Sequence, residues 1–279
     1  MNAAPRPPFE RLLLATEHTE FDAGAEAIAF ALALRRGGAL DAVLPIVSNP
    51  EFEAQAPKLA ERADAQAAQR ADALVAAAAA QGVTLALRLR HGAPPQAEIV
   101  AEARARDADL LILRRRGRRS FLANLMLGEM VGEVVAHAPC SVLLCPRAAT
   151  PWRRAVLVGV DPQAPNAAVV RTAARLAAAA GIGLHVVVVA AAADAAAQSV
   201  LDDALAVARG CGATAAGELR HGRAAPQLQA AAVEHGCDLV VVGRHGPARP
   251  ERARVGATAR AVIGAAAGPV LVVGGQPRR

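Results

Sequence analysis

The run DLVVVGRHG, residues 238–246, decides the fold when it is compared with DLLILRRRG, residues 109–117. Each run is a short apolar stretch that begins with aspartate and ends in a loop rich in glycine and arginine. LRHG lies upstream of both, at 89–92 and 219–222, and Pro-Gln follows it each time. HAPCSVLLC, 137–145, and AAGPVLVV, 266–273, lie downstream. Because four landmarks recur in the same order, the sequence indicates a duplicated domain.

Within each copy, short β-branched or Leu-rich runs alternate with longer Ala-rich segments of helical period. Continuous apolar runs are typical of strands buried on both faces, so the alternation predicts an α/β fold with a parallel sheet and crossover helices on both faces. AATPWRR, 148–154, carries a proline between the copies, which places the domains at 1–149 and 150–279. In the second copy we predict four helices and five strands, the strands at 155–160, 184–189, 214–220, 238–243 and 269–273.

Composition excludes several classes of protein. The 279 residues are 54% hydrophobic and 20% charged, which is typical of a globular chain. With no long apolar run and charges near the start, we expect a cytoplasmic protein without a membrane partner. The four cysteines form no CxxC pair, so we expect reduced thiols and no metal site. One Trp, no Tyr and five Phe offer few platforms for stacking bases, which disfavours single-stranded nucleic acid.

The usual catalytic motifs are missing from the sequence. Lys58 is its only lysine and lies in a polar helical stretch, outside any glycine loop. The sequence contains no GxxxxGK(S/T), HExxH or GxSxG motif. We therefore predict no catalytic residues, and slow hydrolysis at most remains open.

Three glycines in the second copy carry a resemblance. Gly243, Gly246 and Gly256 form the pattern Gly-x2-Gly-x9-Gly, and Asp161 ends the first strand of that copy. The chain resembles a tandem universal stress protein, whose nucleotide loop has this spacing together with an acidic residue after the first strand. The hydroxyl residue that follows the last glycine in that family is Ala257 here, and Thr258 lies one position later. This departure puts one phosphate contact in doubt.

The resemblance implies five-stranded sheets in the order 3-2-1-4-5, of the adenine-nucleotide-hydrolase type, and a regulatory role in stress. It implies that the second domain binds ATP or another adenine nucleotide, with Mg²⁺ held through phosphate oxygens and water. It also implies an intramolecular pseudo-dimer through 140–145 and 269–273, and leaves a further homodimer open. The predicted nucleotide-binding residues are Asp161, Val189, Gly243, Arg244, His245, Gly246, Gly256, Ala257 and Thr258.

The chemistry of the second copy agrees with an anionic ligand. In an open parallel sheet, ligands collect where the strand order reverses, so strands one and four would bring Asp161 and Gly243 face to face. Glycines let backbone N–H groups approach phosphate, and a helix predicted over 257–266 would point its N-terminus at the anion. The charge surplus of +6 lies in this half of the chain. The loop arginines are Arg244, Arg249, Arg252 and Arg254, opposed only by Glu251.

The first copy departs from this pattern. Arg114 stands at the first glycine position, and ten residues instead of nine separate the two remaining glycines, Gly117 and Gly128. Glu129 follows the last glycine, where it would repel phosphate, and we predict that its carboxylate occupies the anion position itself. Glu17 replaces the strand-ending aspartate. The first copy is therefore predicted to be a structural half.

Two other functions remain open at this point. The chain could be a nucleotide-free scaffold that acts through its surface, an alternative that Ala257 favours. RRRGRR, 114–119, could bind nucleic acid phosphates without sequence preference, although no aromatic residues accompany it. Nucleic acid is the less favoured partner, because a run of charges is more often a solvated or paired loop.

Overall fold

A computed structural model describes residues 8–48, 54–115, 130–191, 195–244 and 255–274. The chain divides into two compact units, Phe9–Pro151 and Trp152–Gly274. They are called the first and the second unit below, and each has its own five-stranded sheet.

The first unit alternates strands with helices along the chain. Its strands are hydrogen-bonded in the order β3-β2-β1-β4-β5, and all the pairs are parallel. Its elements are β1 (Leu12–Ala15), α1 (Ala23–Leu34), β2 (Ala39–Val47), α2 (Pro57–Ala80), β3 (Thr84–Gly92), α3 (Pro95–Ala105), β4 (Leu110–Arg114), α4 (130–137) and β5 (Ser141–Cys145).

The second unit repeats this topology. Its strands follow the order β8-β7-β6-β9-β10, again all parallel, which is the same 3-2-1-4-5 arrangement. Its elements are β6 (Ala155–Val160), α5 (Ala167–Ala180), β7 (Gly183–Ala190), α6 (Ala195–Gly210), β8 (Ala215–His221), α7 (Ala224–Glu234), β9 (Leu239–Gly243), α8 (Ala257–Ala265) and β10 (Val270–Val273). The predicted α/β class and strand order are confirmed.

The apolar runs become the strands because both faces of each sheet are covered by helices. Four consecutive residues of β4, Leu110–Leu113, are buried, and so are Leu239–Val242 in β9. The strands predicted for the second copy lie within one residue of the observed bounds. The outermost strands β3 and β8 differ from the others, since all of their residues are partly or fully exposed. Each lies at the edge of its unit's strand order and pairs with one strand of that unit, so it is less covered than the inner strands.

A matched aspartate fixes the fourth strand against the first in both units. The carboxylate of Asp109 accepts hydrogen bonds from the N–H groups of Glu10 and Arg11 at 2.7 and 2.9 Å. Asp238 accepts them from two consecutive N–H groups ahead of β6 at 2.7 and 3.0 Å. These contacts hold the amino ends of the two strands level, so that their carboxyl ends reach the same edge of the sheet. This is the edge at which a ligand site is expected.

A glycine in the first unit is required by close packing. A Cβ on Gly24 would lie 2.1 Å from the carbonyl oxygen of Pro146, which is backbone and has little freedom to move. Helix α1 therefore begins in direct contact with the chain that follows β5. Within the described ranges, no helix is both long and apolar enough to cross a membrane.

Candidate functional site

The strand register of the second unit brings three predicted site residues to one edge. Val160 pairs with Val188 of β7, and Val158 pairs with Val241 of β9. When these registers are continued past the strand ends, Asp161 is level with Val189 on one side and with the residue after Gly243 on the other. The two neighbouring strands therefore flank Asp161 at the point where the strand order reverses.

The Asp161 carboxylate is exposed at this edge. One of its oxygens, Oδ1, accepts a hydrogen bond from the N–H of Gln163 at 2.9 Å, and the N–H of Ala164 donates to the Asp161 carbonyl oxygen at 3.3 Å. This local turn fixes the direction of the side chain. Among the residues that the structure describes, Asp161 has no ion pair, so its second oxygen is available to a ligand.

The two ends of the glycine loop are held together by backbone hydrogen bonds. The N–H of Arg244 donates to the Val273 carbonyl oxygen at 3.1 Å, which extends the pairing with β10 by one residue. The N–H of Gly256 then donates to the Arg244 carbonyl oxygen at 2.9 Å. The loop therefore leaves and re-enters the fold at one place. His245 and Gly246 lie outside the described residues, so their predicted roles remain predictions.

Helix α8 starts beside this closure and has no capping side chain. Gly256 is its N-cap, with φ −57° and ψ 150°, and the first helical bond runs from the Arg260 N–H to the Gly256 carbonyl oxygen at 2.9 Å. The N–H groups of the first helical residues therefore have no acceptor within the helix. Ala257 and Thr258 are exposed. These donors and the helix dipole favour an anion at this end.

Helix α5 of the same unit has a side-chain cap at its N-terminus, which α8 lacks. The Asn166 side chain accepts a hydrogen bond from the Ala168 N–H at 2.9 Å. An Asn, Asp, Ser or Thr at the N-cap is the common way to satisfy these donors. Helix α8 has glycine there, so its donors remain available to a ligand.

The sequence groups Arg244 with the cations around the glycine loop, but its side chain is buried in the structure. It is only 8% exposed, because its backbone continues the pairing with β10. Arg115, the equivalent residue of the first unit, also extends its strand, through an N–H bond to the Cys145 carbonyl oxygen at 2.6 Å. The other loop arginines, Arg249, Arg252 and Arg254, lie outside the described residues.

The first unit places its own cation at the matching edge. The Arg114 guanidinium donates from Nη1 to Asp22 and Thr19, both at 3.1 Å, and from Nη2 to Glu17, also at 3.1 Å. The side chain of Asp22 is 1% exposed and that of Arg114 is 15% exposed. The position that is Gly243 in the second unit is thus filled by an arginine with three oxygen partners.

A second network lies directly beneath this ion pair. The Thr16 hydroxyl donates to the Glu26 carboxylate at 2.7 Å, and Nδ1 of His18 lies 3.1 Å from the same oxygen. Thr16 and Glu26 are both buried. Sequence reasoning missed the contributions of Asp22 and Glu26. The available clue was TEHTEFD, residues 16–22, an acidic stretch after β1 that the topology brings opposite the arginine loop.

A cavity remains at this edge of the first unit. Its walls are largely apolar and include Pro45, Pro95 and Ile99, while Glu17, Asp22 and Arg114 form its polar side. Because these three charges are paired with one another, the described residues that line the cavity include no unpaired cation that could attract a phosphate. Gly117, Gly128 and Glu129 lie outside the described residues, so the predicted occupation of the anion position by Glu129 remains a prediction.

No group of three or more His, Cys, Asp or Glu side chains in the described part of the chain could hold a metal ion. The four cysteines are free thiols. Burial raises the pKa of the Cys145 thiol far above its ordinary value, and the pKa of Cys237 to about 11 for the same reason. Neither thiol is therefore ionised near neutral pH.

Comparison with known proteins agrees with this architecture. A sequence profile described as the universal stress protein family matches residues 8–146 and again 153–274. No protein with a curated description matches the sequence. Among solved structures, a universal stress protein from Archaeoglobus fulgidus is 17% identical with a TM-score of 0.71, covering 94% of this chain and 95% of its own.

Two further solved structures are similar. A putative universal stress protein from Pseudomonas aeruginosa is 17% identical with a TM-score of 0.69, covering 95% of this chain and 93% of its own. A universal stress protein from Archaeoglobus fulgidus in complex with dAMP is 25% identical over 43% of this chain and 98% of its own, with a TM-score of 0.37. Since the family profile matches both units almost from end to end, the chain belongs to the universal stress protein family, with two copies of its domain in tandem.

Proposed function

We propose that the second unit binds ATP or a related adenine nucleotide, and that occupancy of this site serves a regulatory role in the response to stress. The observation that supports the proposal is the strand register, which puts Asp161 level with Arg244, the residue whose carbonyl oxygen accepts the N–H of Gly256 at the uncapped start of α8. A nucleotide carries one group that suits the carboxylate and another that suits the start of the helix. Its ribose hydroxyls donate hydrogen bonds to a carboxylate, and its phosphates accept them from backbone N–H groups.

Each part of the nucleotide has a place along this edge. The phosphates lie at the start of α8, against the N–H groups after Gly256, and the exposed Thr258 supplies a hydroxyl near the position where Ala257 lacks one. The ribose lies against Asp161. The adenine lies towards β7, where Val189 is half-buried and offers an apolar surface. His245 and Gly246 are assigned to the phosphates by the spacing of the loop alone.

A magnesium ion would be held mainly by the phosphates. Phosphate oxygens and water can provide an ordinary Mg²⁺ environment, and the Asp161 carboxylate remains assigned to the ribose. Regulation by occupancy is favoured over rapid turnover because the chain's single lysine, Lys58, lies on α2 of the first unit and no phosphate-loop motif occurs.

The alternative is a scaffold that binds no nucleotide. It is favoured by Ala257, which removes a hydroxyl from the first helical position, and by the burial of Arg244, which withdraws one cation from the rim of the loop. Nucleic acid binding through 114–119 has less support. The Arg114 guanidinium forms ion pairs with Glu17 and Asp22, so it is not available to a phosphate backbone.

Calorimetric titration of the full chain with ATP and magnesium separates the proposal from the scaffold. We expect micromolar-scale binding that Asp161→Ala weakens about tenfold, which corresponds to about 1.4 kcal/mol. Asp203→Ala is the matched control, since Asp203 is an exposed aspartate of the same unit on α6. Heats indistinguishable from buffer for the unmodified chain would support the scaffold. Mass spectrometry of small molecules that co-purify with the chain would identify the preferred adenylate.

A further inference from the structure

Two histidines of the second unit stack at the end of the sheet opposite the nucleotide site. The rings of His185, near the start of β7, and His235, directly after α7, have centroids 4.3 Å apart and planes within 10° of parallel. His185 is partly buried beneath α7. The stack therefore joins the C-terminal end of a helix to the sheet on which the helix packs.

A charged network on β8 holds His235 in this position. Nε2 of His235 lies 3.0 Å from a Glu218 oxygen, and Nε of Arg220 donates to the same oxygen at 2.8 Å. Arg220 also bonds Glu234, the last residue of α7. The end of α7 is thus fastened to β8 by two links and to β7 by the histidine stack.

The surroundings contain few other groups that titrate. On β6 the register partner of His185 is Leu157, which is apolar. The charged and titratable groups around the pair are Glu218 and Arg220 of β8, Glu234 of α7, Cys237 and Asp238 of the following turn, and Arg154 ahead of β6. Asp238 is engaged with the N–H groups ahead of β6, so it does not face the pair.

We propose that the His185–His235 stack is an acid-sensitive latch, which holds the end of α7 on the sheet at neutral pH and releases it when the partly buried His185 ring takes up a proton. Two imidazolium rings at this separation repel each other. A charge on His235 is paired with Glu218, whereas His185 accepts or donates no hydrogen bond to a carboxylate within the described part of the chain and lies against the first ring. Opening the last turn of α7 separates the rings and gives His185 access to water.

The direction of the pKa of His185 agrees with this geometry. Burial lowers the pKa of His185 below its ordinary value near 6.5, the neighbouring His235 lowers it further, and Glu218 opposes them. A histidine whose pKa is lowered in the closed form binds its proton more readily in the open form. The closed form therefore keeps its full stability above about pH 6.5 and loses it progressively as the pH falls below that value.

The equivalent cluster of the first unit would not respond in this range. It is built from arginines and carboxylates, with the buried Glu102 accepting hydrogen bonds from Arg90 at 2.7 Å and from Arg106 at 2.8 Å. Burial acts to raise the pKa of Glu102, but these two hydrogen bonds outweigh it and the net pKa is lowered. Such a group loses its partner only well below pH 4.5. The latch is therefore a property of the second unit.

Hydrogen exchange of the full chain, followed residue by residue, tests the latch. The reporters are the N–H groups of His235, Gly236 and Cys237, which donate to carbonyls in the last turns of α7. Between pH 7.5 and 5.5, after correction for intrinsic rates, we expect their protection factors to fall by up to about tenfold, because pH 5.5 lies about one unit below the ordinary pKa of histidine. His185→Phe keeps an aromatic ring without a titrating proton and should abolish the fall.

His221→Gln is the matched control, because His221 is an exposed histidine at the other end of β8 and should leave the pH dependence unchanged. Titration of the histidine resonances by NMR gives a second readout, first on the unmodified chain. We expect His185 to titrate below its ordinary value and to move back towards it in His235→Gln. A fall in protection that persists in His185→Phe, or an unshifted titration of His185, would overturn the latch. Neither result depends on nucleotide binding.

Discussion

Arg114 and Gly243 occupy the same place in two copies of one fold, at the end of the fourth strand of the order 3-2-1-4-5. In the first unit the arginine side chain reaches across the edge and is held by Asp22 and Glu17. In the second unit Gly243 has no side chain to reach across the edge, and Asp161 has no internal cation among the described residues. Within the described residues, the fourth strand therefore ends in a side chain paired with its own unit in one copy and in a glycine in the other. The fold is shared, and the site decides the function.

The carboxylates of the first unit reinforce this difference. A phosphate at that edge would have to displace Arg114 from Asp22, whose side chain is 1% exposed. Leaving a buried carboxylate without its cation is costly, and the carboxylate would also repel the phosphate. The loop of the second unit reads DPQAPN, residues 161–166, and its counterpart of Asp22 is the uncharged Asn166, since each is the N-cap of the helix that follows. Its two prolines restrict the loop without adding charge.

Gly243→Arg converts the second edge into the first and should have the largest effect. The new guanidinium would fill the space beside Asp161 and take this carboxylate as its counterion. We expect ATP affinity to fall on the order of a hundredfold, about 2.7 kcal/mol, in calorimetric titration. Gly264→Arg introduces the same residue on α8, where a Cβ meets open space, and should leave the affinity unchanged. An affinity within twofold of the parent for Gly243→Arg would contradict the comparison.

Arg114→Met removes the internal cation of the first unit. Because Asp22 then keeps only the two Thr19 donors, at 3.0 and 2.6 Å, we expect the free energy of unfolding to fall by about 1–3 kcal/mol in urea denaturation. Arg147→Met breaks an ion pair with Glu20 whose side chains are more than half exposed, and should cost under about 1 kcal/mol. If the two variants lose equal free energy of unfolding, the buried ion pair stabilises the fold no more than the exposed one.

Gly256→Asn gives α8 the cap that Asn166 gives α5. The new side chain should stabilise the fold by a few tenths of a kcal/mol and compete with phosphate for the same N–H groups. We expect ATP affinity to fall about fivefold, or roughly 1 kcal/mol. Asn166→Ala should do the reverse, lowering stability by about 1 kcal/mol while binding is unchanged. Unaltered affinity in Gly256→Asn would remove the start of α8 from the site.

The smallest expected effect concerns acid and the Glu102 cluster of the first unit. Lowering the pH from 7.5 to 5.5 should leave the hydrogen-exchange protection of this cluster unchanged. The N–H groups of Arg106 and Ala108, at the end of α3, report on the Glu102 cluster. The pKa of Glu102 is lowered by Arg106 and Arg90 in spite of burial, so its carboxylate contributes stability above its ordinary pKa of 4.5 and loses it only as the pH falls further. A fall in protection above pH 5.5, measured by hydrogen exchange, would show that the two units do not differ in their response to acid.

The fold was predictable because each core strand is a contiguous apolar run. DLVVVG became β9 and AVLVGV became β6 with almost no change in bounds, since burial on both faces leaves only such runs as candidates. The position of Asp161 at the sheet edge followed from the strand order that the family resemblance implied, whereas its role in binding remains a prediction. Exposure along β8 was less predictable, because a strand's position at the edge of a sheet depends on pairing and not on its own sequence.

The internal network of the first unit was not predictable in the same way. It depends on the path of the chain after β1, where His18 takes a positive φ of 51°, unusual for a residue other than glycine. That path brings the His18 ring to Glu26, an i to i+8 contact that no local pattern indicates. The inward position of Arg244 had a similar origin, since one further backbone bond to β10 decides which way its side chain points.

Native mass spectrometry of the intact chain with ATP and magnesium tests the central claim most directly, because it counts the nucleotides bound per chain. The account predicts one nucleotide on the parent chain and none on Gly243→Arg. Two nucleotides on the parent chain would show that Arg114 does not close the first edge. One nucleotide retained by Gly243→Arg would show that the ligand does not lie in the second.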